Sequence, residues 1–128
     1  IFEEKELYLL RNRSRGSGVG FFEAGNFYPD FIMWIVNENI QYVTFIDPKG
    51  IGHVGINDPK VNFYQTIKSL EADMNDSNVI LNSFIISNTR FSDLPVQGSR
   101  EDWESKNVLF QLEDNEKYIG KMISRVWD

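Results

Sequence analysis

The sequence predicts an α/β fold in which a central sheet is covered by helices. Two apolar runs, 31–36 and 42–46, show no polar alternation, so each is interpreted as a strand that is buried on both faces. A third apolar run, 79–87, has the same character. Between the second and third runs, Phe63, Ile67 and other apolar residues recur at helical spacing. A chain of 128 residues can bury one such core.

The N-terminal part is predicted to contain a helix and the first strand. Apolar positions such as Leu7 and Leu10 indicate a helix over residues 2–13. A stretch rich in glycine and serine then ends it. Residues 19–23 are predicted to form a strand that turns back into the strand after Asp30.

The later elements follow from caps, turns and apolar spacing. Asp58 is predicted to cap a helix that has Pro59 in its first turn and ends near Asp73, and Asp114 to cap the last helix. The order is α-β-β-β-α-β-β-α, with strands also over 79–87 and 108–112 and irregular segments over 50–57 and 88–106.

Two carboxylates are predicted to meet across the hairpin between the first two apolar runs. Treating residues 37–40 as the loop places Val36 opposite Gln41. Continuing the same register along both strands places Asp30 opposite Asp47, on one face of the sheet, with Cβ atoms roughly 5 Å apart.

Opposed carboxylates destabilise a sheet unless a cation compensates them. Mg²⁺ is commonly held by one or two carboxylates, with waters and substrate phosphates completing its coordination. Lys49 lies two residues beyond Asp47 and points the same way, where it could orient or deprotonate an attacking water, or steady a phosphate. The alternative is that both Asp-Pro pairs are plain turns. The buried strands beside them favour metal-assisted phosphodiester hydrolysis, because charges at the ends of such strands need partners.

The same residues resemble a known nuclease motif. Pro29-Asp30, a hairpin-length spacer and Asp47-Pro48-Lys49 are similar to the signature of the PD-(D/E)xK nuclease superfamily. The longer segments 21–32 and 45–50 resemble the C-terminal endonuclease domain of type III restriction enzyme Res subunits and related helicase–nuclease proteins. The resemblance implies a restriction-endonuclease-like α-β-β-β-α-β core with a central mixed sheet flanked by helices, followed here by a C-terminal strand and helix.

The resemblance also implies roles for the motif residues. Asp30 and Asp47 would bind Mg²⁺, for which Mn²⁺ would substitute, together with the main-chain carbonyl of Pro48. Lys49 would be the catalytic lysine. Pro48 cannot donate to a ladder, so we expect the strand to leave the sheet there.

Further candidates are less distinctive. The resemblance suggests that a glutamate from the first helix lies near the metal. Glu3, Glu4 and Glu6 all qualify by position, and Glu6 is the one predicted as a possible additional site residue. His53 and Lys60 could contact a phosphate. The plainer interpretation of these residues is a solvated helix start for the glutamates, an inert loop histidine and a solvated lysine.

A net charge of −6 argues against a domain that grips nucleic acid by itself. Tethering to a helicase would supply effective concentration instead. Residues 1–128 are therefore expected to form a single nuclease domain that belongs to a larger, helicase-containing protein. Its expected partners are double-stranded DNA, the helicase/ATPase region of that protein and a modification/specificity subunit. No apolar run approaches the ~20 residues that span a bilayer, so no membrane partner is expected, and the expected location is the prokaryotic cytoplasm.

Two other function classes stay open. The chain could be a non-catalytic scaffold that keeps a nuclease fold for DNA positioning or subunit contact. It could also be an unrelated α/β binding module in which the motif is coincidental.

Overall fold

The computed structural model describes residues 6–12, 28–52, 55–94 and 98–127. Five strands form one sheet in the spatial order β1-β2-β3-β4-β5. The strands are β1 Glu6–Arg11, β2 Phe31–Asn37, β3 Ile40–Lys49, β4 Val79–Ser87 and β5 Val108–Phe110. The helices are α1 Phe63–Met74, α2 Arg100–Glu104, α3 Gln111–Asp114 and α4 Lys117–Trp127, with a 3₁₀ turn at Phe91–Asp93.

The sheet is mixed. Strands β1, β2 and β3 are antiparallel neighbours, whereas β3 pairs with β4 in parallel and β4 pairs with β5 in parallel. Parallel neighbours need a crossover, and α1 supplies it between β3 and β4. The predicted α/β fold with a central mixed sheet flanked by helices is therefore confirmed.

Helices cover both faces of the sheet, which explains the apolar runs without alternation. Phe45 packs with Phe63 and Ile67 of α1 on one face, and Ile46 packs with Met122 of α4 on the other. A third cluster around the buried Trp103 of α2 extends the α1 face towards β5. Each large apolar side chain buried in this way stabilises the fold by roughly 1.5–3 kcal/mol.

The helix predicted over residues 2–13 is wrong where the structure describes it, because Glu6–Arg11 is a strand. Its main chain pairs with β2 from Glu6 opposite Val36 to Arg11 opposite Phe31. A short segment that is apolar on both sides fits either period, so pairing with a long neighbouring strand decides its conformation. The strand predicted over residues 19–23 lies outside the described residues.

The helix predicted to begin at Asp58 begins at Phe63 instead. The Asp58 carboxylate accepts a hydrogen bond from the main-chain N–H of Lys60, and Asp58 O accepts one from the N–H of Asn62, so a turn precedes the helix. Its predicted end is confirmed: Asn75 adopts a left-handed conformation (φ 51°) and caps the C-terminus.

The segment predicted as irregular over 88–106 contains α2. Ser99 and Asp102 form a capping box at its start. Strand β5 ends at Phe110, two residues before the predicted end. Asp114 is the last residue of α3 and not the cap of the final helix, and it forms ion pairs with Arg100 and Lys121. No helix in the described ranges has the length and apolar character needed to cross a bilayer.

Candidate active site

The β2–β3 hairpin has the predicted register. Phe31 lies opposite Ile46 and Val36 lies opposite Gln41. The turn is tighter than predicted, because Asn37 and Ile40 still pair and only Glu38 and Asn39 connect the strands. Glu38 has a positive φ of 57°, as the first residue of such a short turn commonly does. The register continues to Asp30 and Asp47, one position beyond the last paired residues.

Asp30, Asp47 and Lys49 meet at this end of the hairpin. The main-chain N–H of Asp30 donates to Oδ1 of Asp47 at 3.2 Å, and Nζ of Lys49 lies 3.4 Å from Oδ2 of Asp47. Asp47 is buried, with 6% of its surface exposed, while Asp30 and Lys49 are partly exposed. The structure thus brings together all three residues of the predicted catalytic set, with the buried carboxylate of Asp47 between the other two.

Burial raises the pKa of Asp47, and the neighbouring Asp30 raises it further, whereas the Lys49 ammonium and the N–H of Asp30 oppose the rise. Removing the charged form of Asp47 from water therefore costs more free energy than its present partners return. A further cation beside Asp47 would offset that cost.

Pro48 does not leave the sheet as predicted, because its pairing with β4 continues to Lys49 opposite Ser87. After Ile46, β3 is no longer paired with β2, although it stays paired with β4. Carbonyls along a strand alternate between its two neighbours, and that of Lys49 accepts from the N–H of Asn88 beyond β4. The Pro48 carbonyl is therefore directed to the opposite side, which is the side of β2, and the missing N–H of the proline removes no bond to β4.

The main chain around Asp30 is held by Asn12, which follows β1. The N–H of Asn12 donates to the carbonyl of Asp30 at 2.7 Å, and its side-chain amide donates to the carbonyl of Pro29 at 2.8 Å. The ring of Pro29 is fully buried. A helix over residues 2–13, as predicted, leaves Asn12 out of the site, whereas a strand over 6–11 places it opposite Asp30.

The chain after Lys49 is anchored to the end of β4. Oγ1 of Thr89 accepts from the N–H of Ile51 at 3.1 Å, and the hydroxyl of Ser87 bonds to the main chain of Thr89 in both directions. These bonds fix the exit of β3 on the face that carries Asp47 and Lys49.

Of the additional candidates, Glu6 and Lys60 lie in the part of the chain that the structure describes, and neither is hydrogen-bonded there to Asp30 or Asp47. Glu6 lies opposite Val36, at the far end of β1, and accepts a hydrogen bond from the Tyr8 hydroxyl. That position is about six residues, or roughly 20 Å, along the sheet from Asp30. Lys60 lies in the turn before α1, where it lines a small crevice with Tyr64. His53 lies outside the described residues.

Two cavities among the described residues lie away from Asp30 and Asp47. A cavity of about 750 Å³ lies along residues 111–119. An apolar one of about 350 Å³ lies between β1 and α4 and touches only Pro48 of the motif. Asp30 and Lys49 are partly exposed at one end of the sheet.

The donor set suits a hard divalent cation. Among the described residues no group of three or more histidine, aspartate or glutamate side chains converges. Two carboxylates and a directed carbonyl are all oxygen donors, and Mg²⁺ needs only one or two carboxylates when water and phosphate supply the rest. The residues present therefore fit Mg²⁺ better than a metal that prefers nitrogen or sulfur ligands.

Comparison with known proteins adds no relative. No family model, curated protein or solved structure matches this chain. Any role assigned to Asp30, Asp47 and Lys49 therefore rests on their geometry and on the resemblance of their motif.

Proposed function

We propose that this chain is a Mg²⁺-dependent DNA endonuclease domain that hydrolyses phosphodiester bonds, as the cleavage module of a type III-like restriction enzyme. The observation that carries the proposal is the convergence of the Asp30 main chain and the Lys49 ammonium on the buried carboxylate of Asp47. A carboxylate with a burial-raised pKa, beside a second acid and an amine, is the kind of perturbed cluster that concentrates at functional sites.

Each residue has a distinct role in the proposal. Asp30 and Asp47 hold the ion, and the Pro48 carbonyl is a further oxygen on the same side. Bound Mg²⁺ would neutralise charge developing on the phosphate and make a nearby water more acidic. Lys49, an ammonium beside Asp47, steadies the phosphate and orients the attacking water, whose proton passes to solvent. Attack of water on phosphorus breaks the bond to the 3′ oxygen and leaves a 5′-phosphate and a 3′-hydroxyl.

The acidic balance of the chain bears on how DNA would reach the site. A net charge of −6 gives little sequence-independent attraction to phosphates. The proposal therefore includes a helicase/ATPase region that delivers double-stranded DNA, and a modification/specificity subunit that selects the sequence.

A plasmid-cleavage assay tests the proposal in the protein that carries this chain. Wild type is compared with Asp30→Ala, Asp47→Ala and Lys49→Ala in Mg²⁺ and in excess chelator. Lys68→Ala and Asp73→Ala are matched controls, since both residues are exposed on α1. We expect each site variant to lose about 100-fold or more of the cleavage rate, and the controls to lose none.

The outcomes separate the three function classes. Loss of cleavage in the site variants alone supports the nuclease. Equal cleavage by wild type and site variants would overturn it and favour the scaffold. If no variant and no wild-type protein cleaves, and Mn²⁺ also fails to bind, the proposal is refuted in favour of an unrelated binding module.

A further inference from the structure

We propose that Asn12 is a positioning residue for Asp30, which makes β1 part of the metal site; the inference rests on the proposed function. Extending the β1–β2 register by one step places Asn12 opposite Asp30. Asp30 is in turn opposite Asp47 by the β2–β3 register. The three polar residues therefore form one row across three adjacent strands.

The row lies on one face of the sheet. Opposite residues of antiparallel strands share a face, and successive residues alternate. The guanidinium of Arg11 stacks over the Phe31 ring at 5.4 Å, so that pair marks the face covered by α4. Asn12 and Asp30, one position along, are accordingly on the opposite face with Asp47.

Asn12 holds the Asp30 peptide from two sides. Its amide side chain fixes the carbonyl before Asp30, and its main-chain N–H fixes the carbonyl after the Asp30 Cα. Oδ1 of Asp47 holds the remaining main-chain group, the Asp30 N–H. With its peptide groups fixed in this way, the direction of the Asp30 Cα–Cβ bond is set before any ion binds.

The hydrogen bonds from Asn12 orient a segment that the sheet itself does not hold. Pro29-Asp30 precedes β2 and lies outside its ladder, and its main chain is held by hydrogen bonds with Asn12 and Asp47. Groups that orient metal ligands commonly contribute 10–100-fold to metal affinity. Removing the Asn12 side chain should therefore lower the affinity for the metal ion without unfolding the sheet, since the main-chain bond from Asn12 to Asp30 remains.

Mn²⁺ titration of the 128-residue chain, followed by electron paramagnetic resonance, tests the inference. Asn12→Ala and Asn12→Ser are compared with wild type and with Asp30→Ala. Asn62→Ala is the matched control, because the Asn62 amide also donates to a main-chain carbonyl, that of Asn57 at 2.9 Å. Melting temperatures are measured on the same samples.

We expect both Asn12 variants to bind Mn²⁺ about 10–100-fold more weakly than wild type. The Asn62→Ala chain should lose a similar amount of stability and keep wild-type affinity. If folded Asn12 variants bind as tightly as Asn62→Ala, the positioning role is refuted while the nuclease proposal stands. If Asn12→Ala does not fold, Asn12→Ser decides, and failure of both to fold would overturn the inference in favour of a structural role. Wild-type chain that binds no Mn²⁺ refutes the proposed function itself.

Discussion

Replacing Asp47 by asparagine should stabilise the metal-free chain and remove its response to magnesium. Burial raises the pKa of Asp47 in the folded state, with a further rise from Asp30 that Lys49 only partly opposes. For an acid with a raised folded pKa, stability is lost as pH rises from the unfolded pKa through the folded one. At pH 7, above the ordinary aspartate pKa, the raised pKa of Asp47 therefore lowers the stability of the folded chain, and asparagine, which keeps an oxygen for the Asp30 N–H, does not incur this cost.

The size of the effect follows from typical substitutions and from chain length. Stabilising changes of this kind contribute about 0.5–2 kcal/mol. In a domain of 128 residues, 1 kcal/mol shifts the melting temperature by about 4 °C, so we expect a rise of about 2–8 °C at pH 7. Mg²⁺ at about 100 times its Kd should stabilise wild type by about 2.7 kcal/mol, or roughly 10 °C. The variant should gain almost nothing, so magnesium should reverse the order of the two proteins.

Calorimetric melts of both chains with and without saturating Mg²⁺ measure this reversal. Asp73→Asn, on the exposed face of α1, is the control for losing one negative charge. At pH 3.5 the advantage of the Asp47→Asn chain should shrink, because the wild-type carboxyl is then protonated. A metal-free Asp47→Asn chain that melts below wild type, together with equal magnesium shifts in both, would refute the reasoning.

Two further substitutions test the surrounding fold. Burial opposes ionisation of Asp114, but hydrogen bonds from Arg100 and Lys121 outweigh it and lower the pKa of Asp114. Its contribution is present above the ordinary aspartate pKa and is lost as pH falls through the lowered value. Asp114→Asn should therefore cost about 1–3 kcal/mol in urea unfolding at pH 7, and the cost should shrink as the pH falls below the ordinary aspartate pKa. Thr44 is fully buried, and its hydroxyl has no hydrogen-bond partner within the described ranges. Thr44→Val should therefore raise unfolding free energy by about 1 kcal/mol, and a comparable loss would indicate a bond that the hydroxyl does make.

The β2–β3 hairpin and the opposition of Asp30 and Asp47 could be predicted from the local sequence. Each strand is mostly apolar without polar alternation, and turn residues separate the two, so the register that places Asp30 beside Asp47 follows from counting residues back from the turn. The turn itself proved two residues shorter than predicted, yet the register did not change, because shortening a loop symmetrically keeps every pair.

Some elements begin or end elsewhere than predicted, because their residues have hydrogen-bond and pairing partners that the sequence pattern does not reveal. Asp58 and Asp114 both resemble helix caps, but the turn at Lys60 and the cations Arg100 and Lys121 satisfy them first. Pro48 was expected to end the strand. Its nitrogen faces the side of β2, where pairing has already ended at Ile46, so the missing N–H does not interrupt the pairing with β4.

From the amino-acid order alone came the apolar strands, the helix that ends near Asp73 and the opposition of Asp30 and Asp47, because each depends on neighbours a few residues away or across one turn. Only the tertiary structure decided that Glu6–Arg11 is a strand and that Asn12 lies against Asp30. A six-residue segment with four apolar residues has no period long enough to favour one conformation, so its hydrogen bonds to a distant strand determine it.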